Sequence, residues 1–582
     1  MERYTIKYFM WEYQQHIQIS FKVSAECLFN QIDSRLQPSV FLLGILTEDR
    51  DNRHPICLEP DGCGFEVECF QNIKILAKEL LEVDEDRRLI HSHPIAQESH
   101  NKRIEGKAYI GAIKKILKRE DVYNNVERFV SFPTYIDGYW VFTILELNKN
   151  ALNKYYSLLK EKSNRFRISR SFIESVIEVF LKECSNALKD PTKSLGAIER
   201  PAEELIREAG ENFMYTIALA GSAWEGLHGL YLACCNISSL KYEGEDSIGK
   251  MAVAAHNHPN VKLILQLKEP IPIRDFRKVR KFLELSNADS LIVSDSHLIY
   301  GLGKLVGNYN PNDESLFIID FISHHHWTVS HDGQVMMLVK YWQPNVPQEK
   351  IDRNYYESLF KRLFIEIEQE QMNDLWEIVI EATKQRHGTM IIISGEAEEE
   401  AKRLANPSFL VKPFKLEMDL VNQVTSIDGS VLLDTNCRCH AIGIIIDGVA
   451  TQKGDSSRGA RYNSAIRYYE SIGSSIPTII IVVSEDGMVN IIPNLRPQIK
   501  HSDLTEAIIA FRAMAEAEHL IIKEFNQAMT FFNTYAFYLS QEECDEINNL
   551  RHMIEEKNKS CAARIVYKDL KPDKEMNDSY YF

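Results

Sequence analysis

Between Ser426 and Gly487 the chain carries three short polar blocks in a fixed order: SIDGS, GDSSRGARYNSA and VVSEDG. Apolar runs (VTSI before the first, GIII before the second, TIIIVV before the third) have the continuous β-branched character of buried strands. Each block is therefore expected where a strand opens into a turn or a helix. No other stretch constrains the fold as tightly, because three polar turns delivered by buried strands require an α/β sheet domain around them.

Length and charge bound the rest. At 582 residues the chain exceeds one ordinary core and is expected to form about three or four domains. Its 45% apolar and 26% charged residues are those of a folded globular protein, and 67 basic against 83 acidic residues leave a net charge of −16. Such an acidic balance argues against an extended nucleic-acid surface and leaves room only for a local basic patch. MERYTIKYFMWEY mixes charges with aromatics and shows no export signal. The most apolar stretch, Met214 to Ile237, contains Glu225 and His228 and reads as a buried helix, with no membrane span expected. Eleven scattered cysteines suit free thiols, so a cytoplasmic location is expected.

Hydrophobic period suggests the domain order. Residues 1–165 alternate strand-like runs (VFLLGILTE, GYWVFTILEL) with helix-like ones (IKILAKELLEV, YIGAIKKILKRE), an α/β unit of unassigned role. A helix is expected from Ser171 to Ala187, and DPTKSLG, Asp190 to Gly196, reads as a turn or short linker. Residues 166–345 form a second α/β unit with the strand KLILQLKEPIPI, the basic helix RDFRKVRKFLEL and the strands in SLIVSDSHLIYGLG and SLFIIDFI. Residues 346–386 are a helical connector, one long amphipathic helix or a pair, with Leu359, Leu363, Ile367, Met372, Trp376 and Ile380 about one turn apart. Residues 387–505 open on the strand HGTMIIIS and the helix EAEEEAKRLA and contain the three blocks; residues 506–582 form a helical tail.

Taken singly, each block has a plain structural explanation beside a functional one. Asp428 is either a turn aspartate satisfying its own backbone or a carboxylate able to hold Mg²⁺ or Mn²⁺ and orient a sugar hydroxyl. Gly454, Gly459 and Ala460 allow close backbone approach, while Arg458 and Arg461 offer forked donors for phosphate oxygens. The helix SAIRYYESI begins beside Asn463 and Ser464, so free amides would face the same anion, or merely a helix cap. Ser484, Glu485, Asp486 and Gly487 form an acidic turn of a common type. Together the blocks supply what a nucleotide polyphosphate and its metal require.

The run from His387 to Pro497 resembles the diadenylate cyclase domain of the DNA-integrity scanning protein DisA and its relatives. That family carries an Asp-Gly-Ala turn, a Gly-Thr-Arg-His-Arg turn opening a helix, and a Val-Val-Ser-Glu-Glu turn, in this order. Here stand Asp428-Gly429-Ser430, Gly459-Ala460-Arg461-Tyr462-Asn463 and Val482-Val483-Ser484-Glu485-Asp486. The resemblance implies a multidomain α/β protein whose C-terminal domain has a mixed central sheet and flanking helices, preceded by two α/β units. It implies condensation of two ATP molecules into cyclic di-AMP with Mg²⁺ or Mn²⁺, across sites that face each other in a homodimer or higher homo-oligomer. It also implies catalytic roles for Asp428, Gly429 and Arg461, and metal binding by Asp428 and Glu485. Nucleotide contacts would fall to Ser430, Gly443, Asp447, Gly448, Arg458, Gly459, Ala460, Tyr462, Asn463, Ser464, Ser484 and Glu485. Tyr462 and Asn463 depart from the family's His and Arg, removing phosphate-binding charge that Arg458 or Arg467 stands near enough in sequence to replace. The alternative reading is a nucleotide-binding module with lost or altered chemistry.

Upstream, RKVRKFLELS followed by a strand and IYGLG resembles the sensor domain type labelled DACNV, which implies a sensor ligand of unknown identity. Arg277, Lys278, Arg280 and Lys281 would then meet an anionic ligand or form a solvated helix face. Two His-x-His-Pro sequences, at His91 and His256, recur without the downstream ligand a zinc hydrolase needs. His324-His325-His326 at a strand end, the spaced Cys57, Cys63 and Cys69, and Cys437-Arg438-Cys439-His440 also lack a complete ligand set. No metal is assigned to any of them.

Overall fold

The computed structural model describes the chain except residues 1–9, 48–52, 61–62, 120–124, 160–168, 191, 193–196, 222–228, 242–246, 288, 348–350, 386–387, 406–407, 449–458, 473–475, 485–487, 518–521 and 558–566. It divides into two compact units, Met1–Gln348 and Glu349–Phe582.

The first unit contains two sheets. A five-stranded antiparallel sheet is built around Ser39–Leu46 and Tyr139–Asn148. Along Ser39–Leu46 alternate side chains serve different cores, which is why the run is apolar throughout. Val40 and Leu42 join Phe21 and Phe29 of the helix Gln14–Ile32, while Phe41, Leu43 and Ile45 meet Ile73 and Ile113 on the opposite side. An eight-stranded mixed sheet follows, running from Gln343–Asn345 at one edge to Val261–Pro272 at the other. Within it, Gly249–Ala254 and Leu291–Ser294 pair in parallel. Helix Phe172–Ala187 is closed at its N-terminus by Ser171, whose hydroxyl accepts from the Glu174 amide at 3.2 Å.

Several expectations change in this unit. The apolar stretch from Met214 to Ile237 spans the end of one helix, Ala202–Ala220, and another, Leu230–Ser239. Glu225 and His228 lie outside the described residues, as does most of the linker after Asp190. No described helix is long and apolar enough to cross a membrane. The basic helix Phe276–Leu283 is not wholly solvated: Arg280 is buried and donates to Glu284 at 3.0 Å, whereas Lys278 pairs with Asp275 at its N-cap. His324 and His325 occupy the turn of a hairpin before the strand His326–His331, with their rings 4.2 Å apart. No cluster of three or more His, Cys, Asp or Glu suited to a metal occurs among the described residues.

The second unit begins with two helices, α1 (Arg353–Leu363) and α2 (Gln369–Ala382), so the amphipathic pattern belongs to a pair. Its sheet contains β1 (Thr389–Ser394), β2 (Phe409–Lys415), β3 (Ser430–Leu433), β4 (Arg438–Ile444), β5 (Thr478–Val483) and β6 (Val489–Ile492). The strand order is β2-β4-β3-β1-β5-β6; β1 and β3 are parallel and the other pairings antiparallel, a mixed sheet. Helices α3 (Ala397–Arg403), α4 (Met418–Val424) and α5 (Ala460–Ile472) flank it. On β1, Ile391 and Ile393 pack with Phe360, Leu375 and Val379 of the helical pair. Met390 and Ile392 face the other way, into a core shared with Ala401 of α3 and Ala465 and Tyr468 of α5. Three further helices, α6 (His501–Glu516), α7 (Ile522–Thr534) and α8 (Gln541–Lys557), enclose a core of their own around Phe511, Met529 and Ile547.

Candidate nucleotide site

Strand register brings the start of β3 and the ends of β4 and β5 to one edge. Ser430 opens β3 opposite Met390 near the start of β1, and Met390 lies opposite Val482 near the end of β5. On the other flank Ser430 pairs with Ile444, the last residue of β4. The segments before β3, after β4 and after β5 therefore leave the same edge of the sheet. One expectation is corrected here: the run before Asp428 is the end of helix α4 and a turn, not a strand.

Asp428 stands fully in solvent, its side chain 96% exposed. Its Oδ1 accepts from Arg461 Nη2 at 3.2 Å and from the Gly429 amide at 3.1 Å. Arg461, in the first turn of α5, thus links the second block to the first. Gly429 has φ +105°, and a Cβ there would lie 2.7 Å from the Gly443 carbonyl carbon. A side chain is excluded both by conformation and by the close approach of two backbones. Ser430 is buried, and its hydroxyl donates to the Ile444 carbonyl at 3.0 Å, so this side chain ties β3 to β4 and is turned from solvent.

The second block separates into parts. Gly454 and Arg458 lie outside the described residues. Gly459 and Ala460 are exposed at the start of α5, and a Cβ on Gly459 would meet nothing within 4 Å. Tyr462 packs against the core beneath α5, while the Asn463 side-chain amide donates back to the Gly459 carbonyl at 3.3 Å. Ser464 is half-buried on the same helix. In the third block, the Ser484 amide and hydroxyl both donate to the Met488 carbonyl, at 2.8 and 3.0 Å. Glu485, Asp486 and Gly487 lie outside the described residues.

Asp447 has a different environment from Asp428. Arg403, at the end of α3, donates to both its oxygens at 2.6 and 3.0 Å, a two-point guanidinium–carboxylate pair. That same guanidinium donates to Glu400, whose side chain is only 4% exposed, and Tyr468 of α5 donates its hydroxyl to Glu400 at 2.7 Å. Hydrogen bonding to Arg403 holds the Asp447 carboxyl below its ordinary range. Burial pushes the Tyr468 phenol up, and its bond to Glu400 adds to the shift. Beside this cluster Gly448 lies directly on α5: a Cβ would stand 2.7 Å from the Arg467 carbonyl carbon. The i, i+3 spacing of Glu400 and Arg403 announces a local pair in the sequence, but nothing local announces Asp447. At the opposite end of β4, burial raises the Cys437 and Cys439 thiols to about 12 and about 11, and His440 pairs with Asp434 at 3.0 Å.

A hard divalent cation fits Asp428. Mg²⁺ and Mn²⁺ sites of this kind use one or two carboxylates and take their remaining ligands from phosphates and water. Asp428 offers an exposed oxygen donor; the second implied ligand, Glu485, is outside the described residues.

The second unit is a mixed-sheet α/β domain with two acidic turns and the start of α5 at one sheet edge, and family comparison gives it a class. Residues 378–496 match the family model "DisA bacterial checkpoint controller nucleotide-binding", residues 10–214 match "Probable sensor domain DACNG" and residues 228–333 match "Probable sensor domain DACNH". Residues 378–496 thus form a DisA-type nucleotide-binding domain, and it follows two probable sensor domains in the chain. The expected DACNV type is thereby corrected to DACNG and DACNH. Among solved structures, a double cysteine mutant of DacA from Staphylococcus aureus is 17% identical, covering 24% of this chain and 95% of its own, with a TM-score of 0.19. No curated protein matches the chain.

Proposed function

We propose that the C-terminal unit is a diadenylate cyclase that condenses two ATP molecules into cyclic di-AMP under the control of the upstream sensor region. The observation that carries this reading is the pairing of Arg461 with Asp428, from two separate blocks, on one sheet edge. Phosphoryl transfer chiefly needs positioning and charge neutralisation, and this edge supplies an anionic and a cationic arm within reach of each other.

In each half-reaction the 3′-hydroxyl of one ATP attacks the α-phosphorus of the other. The O3′–P bond forms as the hydroxyl proton is released to water, the α–β phosphoanhydride breaks, and pyrophosphate leaves. Arg461 binds the triphosphate, and the amides at Gly459 and Ala460 add the positive end of α5. Asp428 orients the attacking hydroxyl and holds Mg²⁺ or Mn²⁺, which when bound neutralises phosphate charge. Because each protomer presents one nucleotide, two copies of the chain must meet face to face.

The direct test incubates the purified full chain with ATP and Mn²⁺ and identifies products by mass spectrometry across a range of protein concentrations. Cyclic di-AMP is expected, with specific activity rising as protomers associate. Complete absence of product at every concentration overturns the enzyme reading. A second reading, nucleotide sensing without synthesis, gains support from Tyr462 and Asn463. Tyr462 packs in part against the core and Asn463 donates to the Gly459 carbonyl, and as uncharged residues neither replaces the family's charges.

A further inference from the structure

Asp447 and Arg403 form a pair that stability alone does not explain. Their side chains are 60% and 38% exposed, and ion pairs so open to water contribute little to folding. The geometry is nevertheless restrictive. A guanidinium fork on both carboxylate oxygens sets angle as well as distance, and the same fork is anchored on Glu400. Glu400 in turn receives the Tyr468 hydroxyl from the third turn of α5. Helix α3 therefore grips the Asp447–Gly448 step with one residue and α5 with another. Gly448 and Arg467 meet backbone to backbone, so no flexible side chain cushions a change at that junction.

We propose that Arg403 is a positioning residue for the nucleotide site: through Asp447 on one side and Glu400–Tyr468 on the other, it fixes α5 against the sheet edge so that Arg461 is presented beside Asp428. Asp447 then acts through Arg403 and does not touch the nucleotide. The inference rests on the nucleotide reading above. It extends that reading to a residue on a helix outside all three blocks. Misplacing a binding group by about 1 Å is enough to cost one to two orders of magnitude, so a modest rotation of α5 would be felt at the ligand.

The test compares full-length wild type, Asp447→Asn, Asp447→Glu, Arg403→Met and the double variant Asp447→Asn/Arg403→Met. Each is titrated with α,β-methylene-ATP and Mg²⁺ by calorimetry, alongside thermal unfolding. Asp447→Asn is expected to weaken the analogue about 10-fold while leaving the melting temperature nearly unchanged, and Asp447→Glu to recover part of the loss. The double variant should bind no worse than Arg403→Met alone, because the two residues act as one device. Arg403→Met leaves Glu400 uncompensated and is at risk of not folding; in that case Asp447→Asn and Asp447→Glu decide alone. Wild-type affinity in Asp447→Asn overturns the positioning role while the nucleotide reading stands. Fully additive losses also overturn it, because they put Asp447 on the ligand itself. A wild-type chain that does not bind the analogue removes the nucleotide reading and the positioning role together.

Discussion

Asp428-Gly429 and Asp447-Gly448 are the same dipeptide, placed beside strand ends on one sheet edge, and the structure surrounds them differently. Asp428 is almost wholly in solvent with one arm of Arg461 on it, whereas both oxygens of Asp447 are held by Arg403. The glycines differ in parallel. Gly429 is needed for a left-handed backbone pressed on Gly443, and Gly448 for contact with a helix. A short acidic turn therefore carries no fixed role. The partner that reaches it from elsewhere decides whether its charge stays available to a ligand or is consumed by the fold.

The largest expected effect tests the solvent-facing member. Asp428→Ala should lower cyclic di-AMP formation by about 100-fold or more, with little change in melting temperature because the side chain rests on so little. Full activity in this variant, measured by product formation, would collapse the contrast between the two turns.

Next come the glycines. Gly429→Ala should destabilise the C-terminal unit by about 3 kcal/mol, since it combines an unfavourable φ with a backbone clash. Gly448→Ala, with the clash alone, should cost about 1–2 kcal/mol. Denaturant unfolding ranks them, and a reversed order would show that α5 is the less yielding neighbour.

The smallest effect is pH dependence. Arg403 lowers the folded-state ionisation of Asp447 below its ordinary value of 3.8. The pair's contribution is thus fully present above that value and fades as pH falls through the lower folded one. The stability difference between wild type and Asp447→Asn should hold steady near neutrality and close below about pH 4. A difference that instead closes between pH 6 and 8 would implicate some other group.

How much of this was legible in the sequence depends on the range of each interaction. The strands Thr389–Ser394 and Thr478–Val483 show as continuous apolar runs because both their faces are covered. The cap at Ser171 follows from local residue chemistry, whereas α5 starts at Ala460, earlier than the expected start beside Asn463 and Ser464. Asp428 and Arg461 could be proposed as neighbours only because the blocks keep a family order. The Arg403–Asp447 pair spans 44 residues and has no periodic or motif signal. Ser430 resembles a ligand-facing serine in sequence, yet register alone turns its hydroxyl onto Ile444. The helix ending before Asp428 was hidden by VTSI, a β-branched run whose propensity the surrounding packing overrides.

The alternation along β1 has a further consequence. Ile391 and Ile393 lean on the helical pair at the start of the second unit, and Met390 and Ile392 lean on the core beneath Arg461's helix. This ribbon is a party wall with a tenant on either side. Helices α1 and α2 and the core beneath α5 are thereby joined through a single strand, with no loop between them.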